Sequence, residues 1–295
     1  MQSPVRLVAI DMDGTLLDSV DRAVSPRNAS ALRDAQQAGI TVAIATGRRT
    51  AYTAPLLEGI GLRADMPLIT SNGGVTSTLG GERVDAFPLS ASVARGLCGI
   101  LRPFGVVVFT FDRMGPGTLV LEDMEQTKDR IGFWIEANRA AIAVVSPLEE
   151  ALPDGEDPIQ GMVAGRIANM RQAEEALKAS SLAGNCVAIR TEYPDRDLSI
   201  VDLLAQGISK GAALAKLACR LGIPQEETLA IGDNWNDLDM LEWAGQAVLM
   251  GNASVELRAL ACGRGWHLAR TNDEDGVARI LEAISRRAQG TPVLV

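Results

Sequence analysis

The sequence predicts a doubly wound parallel α/β core, a Rossmann-like sheet, interrupted by an inserted α+β domain. Three observations carry this prediction. Short apolar runs alternate with helical patterns over residues 1–75, the alternation returns from about residue 206, and between them it breaks into strand-like runs punctuated by Gly and Pro. A fully apolar strand followed by a covering helix marks a parallel sheet buried on both faces.

In chain order, VRLVAID at 5–11 reads as the first strand and PRNASALRDAQQAG at 26–39 as the helix that covers it. ITVAIAT at 40–46 is the second strand, a helical stretch runs to Gly59, and MPLIT at 66–70 is the third strand. The core is expected to resume with SKGAALAKLACRLG (209–222), ETLAIGD (227–233), NDLDMLEWAG (236–245), QAVLMG (246–251) and a helix from about Asp275. Residues 1–86 and 206–295 are therefore assigned to the core and 87–205 to the insert, with strand-like runs VVVFTF, TLVLED, GMVAGRIA and CVAIRTE. EEALPDGEDP at 149–158 reads as a solvated connection.

Composition narrows the function. A chain of 295 residues has room for two domains. Its net charge of -9 argues against a nucleic-acid binder, which needs a basic footprint. Hydrophobic content of 47% with 22% charged residues fits a folded globular protein. Four scattered cysteines form no CxxC pair, so a structural zinc site is not expected. The start lacks a signal-peptide pattern and no apolar run reaches membrane-spanning length, so a cytoplasmic protein with reduced thiols is expected. With His267 as the single histidine, carboxylates or a metal must carry most of the chemistry.

The chemistry concentrates at strand ends, where open α/β sheets bind ligands. The first strand ends in Asp11-Met12-Asp13-Gly14-Thr15, which places two carboxylates on a tight turn. The second ends in Thr46-Gly47-Arg48, a hydroxyl and a backbone N–H suited to phosphate oxygens. In Gly207-Ile208-Ser209-Lys210-Gly211, Ser209 reads as an N-cap and Lys210 as the start of a helix. A cation there opposes the helix dipole and either faces solvent or answers an anionic partner. A later strand ends in Gly232-Asp233-Asn234-Trp235-Asn236-Asp237. Gathering Asp11, Asp13, Asp233 and Asp237 would be strongly repulsive, and a hard divalent cation, Mg2+, would relieve it.

These four stretches, in this order, resemble the motifs of the haloacid-dehalogenase-like hydrolase superfamily (HAD). SNGG at 71–74, ATGR at 45–48, GISKG at 207–211, MGNA at 250–253 and TNDEDGVA at 271–278 resemble its Cof-type phosphatases, in which a mixed α/β cap is inserted. Asp202 and Ala205 depart from relatives that often carry Glu and Pro there, a change expected to affect the hinge into the core.

The resemblance implies a phosphatase acting on a small phosphorylated metabolite, such as a sugar phosphate, through an aspartyl-phosphate intermediate. It implies Asp11 as nucleophile and Asp13 as acid and base. Mg2+ would be held by Asp11, Asp13 through its main-chain carbonyl, and Asp233, with Asp237 behind them. Thr46, Gly47, Lys210 and Asn236 would bind the phosphoryl group, with Asn72 on the substrate side. Arg48 is either a rim contact or an ion-pair partner. Arg113, Arg130, Arg166 and Arg190 read first as solvated surface arginines, with contact to an anionic or hydroxylated leaving group as the alternative. A phosphomutase or phosphotransferase using the same intermediate, and a non-catalytic phospholigand sensor, stay open. No nucleic-acid polymer or membrane is expected as a partner, and the oligomeric state is left open.

Overall fold

The computed structural model describes residues 4–113, 115–125, 128–153 and 155–288, without the side chains of residues 128–130. The chain divides into two compact units, one of residues up to Asp85 and from Ser209 onward, the other Ala86–Ile208.

The first unit opens with β1 (Leu7–Ile10), α1 (Pro26–Gln37), β2 (Thr41–Ala45), α2 (Thr50–Leu57), β3 (Pro67–Thr70), β4 (Val75–Thr78) and β5 (Arg83–Ala86), whose last residue crosses the boundary. The second holds α3 (Ala91–Leu101), β6 (Val106–Thr110), β7 (Leu119–Leu121), α4 (Lys128–Asn138), β8 (Ile142–Val144), β9 (Gln160–Gly165), α5 (Ile167–Lys178), β10 (Cys186–Tyr193) and β11 (Leu198–Ala205). The first then resumes with α6 (Lys210–Leu221), β12 (Thr228–Gly232), α7 (Leu238–Trp243), β13 (Gln246–Leu249), α8 (Val255–Arg264), β14 (His267–Leu268) and α9 (Gly276–Ala288). None of the described helices is long and apolar enough to cross a membrane.

The first unit's sheet has the order β14-β13-β12-β1-β2-β3-β4-β5, parallel from β14 to β3 and antiparallel between β3 and β4. Each central strand feeds two cores. Val8 and Ile10 of β1, with Val42 and Ile44 of β2, pack with Leu32 of α1 and Leu281 of α9. Leu7, Ala9, Ala43 and Ala45 face Leu214 of α6, Met240 of α7 and Leu257 of α8. This is the doubly wound arrangement, and β1, flanked by β12 and β2, lies in its middle. Its carboxyl end is where Asp11 emerges.

Local chemistry sets the helix ends. Ser25 caps α1 by accepting the Asn28 N–H, with Pro26 in the first turn, and Ser209 caps α6 by accepting the Ala212 N–H. Gly222, at φ 61, ends α6 in the left-handed conformation.

The second unit has a separate six-stranded sheet, β10-β11-β9-β6-β7-β8, antiparallel except for the β7/β8 pair. Its own core joins Phe109, Val163 and Leu203 to α3 and α5.

Three sequence expectations change here. GMVAGRIA is not one strand, because β9 stops at Gly165 and α5 begins at Ile167. The stretch 149–158 is anchored as well as solvated: Leu152 is buried and Asp157 Oδ1 accepts the Ala91 N–H at the start of α3. Residue 154 of that stretch lies outside the described residues. Asp202 is not at the hinge. It lies buried inside β11, opposite Ile189 and Met162, whereas the boundary falls between Ile208 and Ser209.

Candidate active site

β1 delivers Asp11 directly, and the Asp11 N–H donates to the Ile231 carbonyl of β12, tying the two strand ends together. Residues Met12–Leu16 then make a tight turn closed by a 2.9 Å bond from Leu17 N–H to the Met12 carbonyl, with Gly14 at φ 80. A Cβ on Gly14 would stand 2.4 Å from Asp233 Oδ2, so glycine is required both by dihedral and by space. The next residue, Thr15, donates its hydroxyl to Asp233 Oδ1 at 2.8 Å.

The turn after β12 answers this loop. Asp237 Oδ2 accepts the backbone N–H groups of Asp233 and Asn234, each at 3.0 Å. Its Oδ1 accepts from Lys210 Nζ at 2.7 Å, and the same ammonium donates to Asp11 Oδ1 at 2.6 Å. Lys210 is wholly buried, so the anionic partner suggested by a lysine at a helix start lies inside the protein.

Asp11, Asp233 and Asp237 bring carboxylate oxygens within 4.8 Å of one another. Burial, then the nearby Asp237 charge, pushes the Asp11 carboxyl up to about 7 against the opposing pull of Lys210. Burial and the charges of Asp11 and Asp237 raise Asp233 well above the usual carboxylate range, with Thr15 and Lys210 opposing. Burial alone would lower Lys210, yet its two carboxylate partners hold it above the ordinary lysine value. The trio therefore favours any cation that joins it.

Asp13 stands apart from the trio. Its two oxygens accept from Arg48 Nε and a terminal nitrogen, both at 2.6 Å, in a half-exposed bidentate pair. Arg48 is therefore an ion-pair partner, and the carboxylate it holds is one of the proposed reacting groups.

The remaining predicted residues converge by backbone stitching. Asn72 N–H donates to the Thr46 carbonyl and Ser71 N–H to the Arg48 carbonyl, clamping two loops together. A Cβ on Gly47 would lie 3.1 Å from the Asn72 amide nitrogen, and Asn236 Nδ2 donates to Asn72 Oδ1 at 3.3 Å. Thr46, Asn72 and Asn236 are all buried. Gly73, at φ 99, backs onto the Ser209 carbonyl, which seats the SNGG loop on the start of α6.

Five loops, those that begin at Asp11, Thr46, Ser71, Gly207 and Gly232, thus carry predicted residues toward one site on the first unit. The arginines of the second unit are engaged locally: Arg113 with Glu156, Arg166 with Asp197 and Arg190 with Glu174. The Arg130 side chain lies outside the described residues. Sequence reading gave no role to Thr15 and left Arg48 undecided. Their signal was present, since Thr15 stands in the same motif as Asp11 and Asp13, and Arg48 follows Thr46 and Gly47 directly.

Residues 8–281 match the haloacid dehalogenase-like hydrolase family. The 5-amino-6-(5-phospho-D-ribitylamino)uracil phosphatase YwtE of Bacillus subtilis (strain 168) is 28% identical, covering 95% of this chain and 98% of its own. The HMP-PP phosphatase of Cronobacter sakazakii is 31% identical over 86% of this chain and 87% of its own. Among solved structures, a haloacid dehalogenase-like hydrolase from Bacteroides thetaiotaomicron superposes with a TM-score of 0.74 at 28% identity, covering 95% of this chain and 99% of its own.

Proposed function

Because the chain belongs to the haloacid dehalogenase-like hydrolase family, we propose that it is a Mg2+-dependent phosphatase that hydrolyses a small phosphorylated metabolite through an aspartyl-phosphate on Asp11. The observation that carries this reading is the buried Asp11 at the carboxyl end of the central strand, bonded to Lys210 beside Asp233. The relatives are named for different phosphorylated compounds, among them a ribitylaminouracil phosphate, pyridoxal phosphate and HMP-PP, which supports a small phosphorylated metabolite as the substrate class.

The residues fit a hard divalent cation. Asp11, Asp13, Asp233 and Asp237 face Lys210 and Arg48, so when all are ionised two negative charges are left over, matching one divalent ion. Both oxygens of Asp237 are engaged by Lys210 and two amides, whereas the bonds to Asp11 and Asp233 engage Oδ1 of each. We therefore assign Mg2+ to Asp11, Asp233 and the main-chain carbonyl of Asp13, with Asp237 as the anchor of Lys210. Bound there, Mg2+ would neutralise phosphoryl oxygens and keep Asp11 ionised.

In this reading an Asp11 oxygen attacks phosphorus while Asp13 gives a proton to the departing alkoxide, and Asp13 then takes a proton from the water that cleaves the acyl phosphate. Lys210, the Thr46 hydroxyl, the Gly47 N–H and Asn236 would stabilise the charge that builds on the transferring group. Asn72, locked to Asn236 and to the Thr46 carbonyl, would hold these donors in place on the substrate side. The insert is proposed as the cap that selects the leaving group, and a cytoplasmic setting goes with this reading.

The test is phosphate release from a panel of phosphorylated metabolites with Mg2+, beside a chelator control and Asp11→Asn. Selective release that the chelator and the substitution abolish supports the reading. Release that survives Asp11→Asn refutes the nucleophile, and phosphate moved to another acceptor without release refutes hydrolysis.

A further inference from the structure

Two stretches, MGNA at 250–253 and TNDEDGVA at 271–278, have no part in the reaction as proposed, yet both grip the loop that would perform it. Asn252 Nδ2 donates to the Gly14 carbonyl at 2.7 Å, and Asn252 Oδ1 accepts the Asn272 N–H at 3.2 Å. Asn272 is buried, and its Nδ2 donates to the Leu17 carbonyl at 2.8 Å and to Ser19 Oγ at 3.2 Å. Asp273 Oδ1 accepts the Ser19 N–H at 2.8 Å. A capping box between Thr271 and Glu274 shapes the turn that presents these groups.

We propose that Asn252 is a positioning residue for the hydrolytic reaction, holding the Gly14–Thr15 peptide so that Asp13, Thr15 and Asp233 keep their reactive arrangement. The inference rests on the phosphatase reading of Asp11 and Asp13.

The physical argument starts at Gly14. A glycine at φ 80 has the widest choice of backbone conformations in the turn, so its peptide plane is the natural point of failure. Rotation of that plane would swing Asp13 on one side and Thr15, with its bond to Asp233, on the other. Here the carbonyl of the plane is tied to a side chain 238 residues away in sequence, and that side chain is in turn tied to the 272 backbone. The position demands a donor toward Gly14 and an acceptor toward Asn272 at once. A primary amide supplies both, and the reversed amide would set oxygen against oxygen and donor against donor. Asn252 itself is exposed, so its job is not to fill the core.

Asn252→Asp separates the two bonds, keeping an acceptor for the Asn272 N–H while turning the contact with the Gly14 carbonyl repulsive. Asn252→Ala removes both. Wild type and the two variants would be compared for kcat and KM on p-nitrophenyl phosphate at saturating Mg2+, for melting temperature, and for amide hydrogen exchange across residues 11–17. The expected result is a kcat about 10- to 100-fold lower in both variants with KM within about twofold of wild type, since small misplacement of reacting groups costs rate more than binding. Melting temperature stays near wild type and exchange across the loop speeds up. An active wild type with unchanged kcat in the variants overturns the inference, as does a raised KM at constant kcat. A rate loss that merely tracks lost folded protein also overturns it. A wild type that releases no phosphate refutes the phosphatase reading instead, and unchanged exchange across residues 11–17 still overturns the positioning role by itself.

Discussion

Lys210 and Asp237 form an ion pair sealed from solvent, with Nζ 2.7 Å from Oδ1 and both side chains 0% exposed. Because the same ammonium reaches Asp11, Asp237 fixes where Lys210 points and so how its charge meets the proposed nucleophile. Breaking a buried pair strands the partner's charge and typically costs about 3–5 kcal/mol. Lys210→Met, which keeps length and removes charge, is expected to lower unfolding free energy by about that amount in chelator. Chemical denaturation measures it, and a loss under about 1 kcal/mol would mean that the carboxylates simply protonate at little cost.

The Arg48 and Asp13 pair is half-exposed, with side chains 23% and 37% accessible, so its stabilising effect is small, about 0–1 kcal/mol. Its effect on turnover should be larger if the guanidinium orients the proposed acid. Arg48→Ala is expected to slow hydrolysis of alkyl phosphates about tenfold and p-nitrophenyl phosphate much less, because a nitrophenolate leaves without a proton. Equal loss on both substrates would show that Arg48 does not act through the acid role of Asp13, leaving its role as base toward water, which both substrates share.

Metal-free stability should depend on pH through Asp11 and Asp233. Burial, with nearby carboxylates, pushes Asp11 up to about 7 and raises Asp233 well above its usual range, so the folded state binds these protons more tightly than the unfolded chain. Stability contributed this way is present at low pH and is lost as pH rises from near the ordinary value of 3.8 through about 7. In chelator the protein should melt higher near pH 6 than near pH 8, with a slope of up to about 1.4 kcal/mol per pH unit for each group. Asp11→Asn should flatten the profile, and so should Mg2+, which favours the ionised form. A melting temperature that climbs over that window in chelator would contradict the assignment.

Gly73 carries the contact between the SNGG loop and the start of α6. At φ 99, with a Cβ that would lie 2.2 Å from the Ser209 carbonyl oxygen, Gly73→Ala must move backbone that precedes Lys210. The expected cost is about 2 kcal/mol or more in unfolding free energy, together with a loss of phosphate release. Wild-type stability in this variant would mean that the loop and α6 separate freely.

The four cysteines are free and divide by environment. Burial pushes the Cys98 thiol up to about 12 and also raises Cys186, whereas Cys219 and Cys262 are exposed. Ellman's reagent at mildly alkaline pH should label Cys219 and Cys262 promptly and reach Cys98 and Cys186 on denaturation, since the thiolate is the reactive form. Four equally fast thiols would contradict the packing around α3 and β10.

The core was legible because its strands are short, apolar and followed by helices, and because Asp11, Thr46, Lys210 and Asp233 stand at the ends of those elements. Residues of the reacting types at strand ends point to one place in an open α/β sheet whatever the fine packing. The insert was less readable. The polar Asp202 interrupts the apolar run of β11, and β9 runs almost without a break into α5, so neither periodicity stands alone.

The sequence by itself therefore determined the fold class and the candidate residues at the strand ends. Only the tertiary structure decided which charges meet: Lys210 with Asp11 and Asp237, Arg48 with Asp13, Thr15 with Asp233, and Asn252 with the Gly14 carbonyl. Those partners come from separate strand ends and loops. Side-chain bonds reach only about 3 Å, so packing of α6, β1 and β12, not spacing along the chain, sets which of them form.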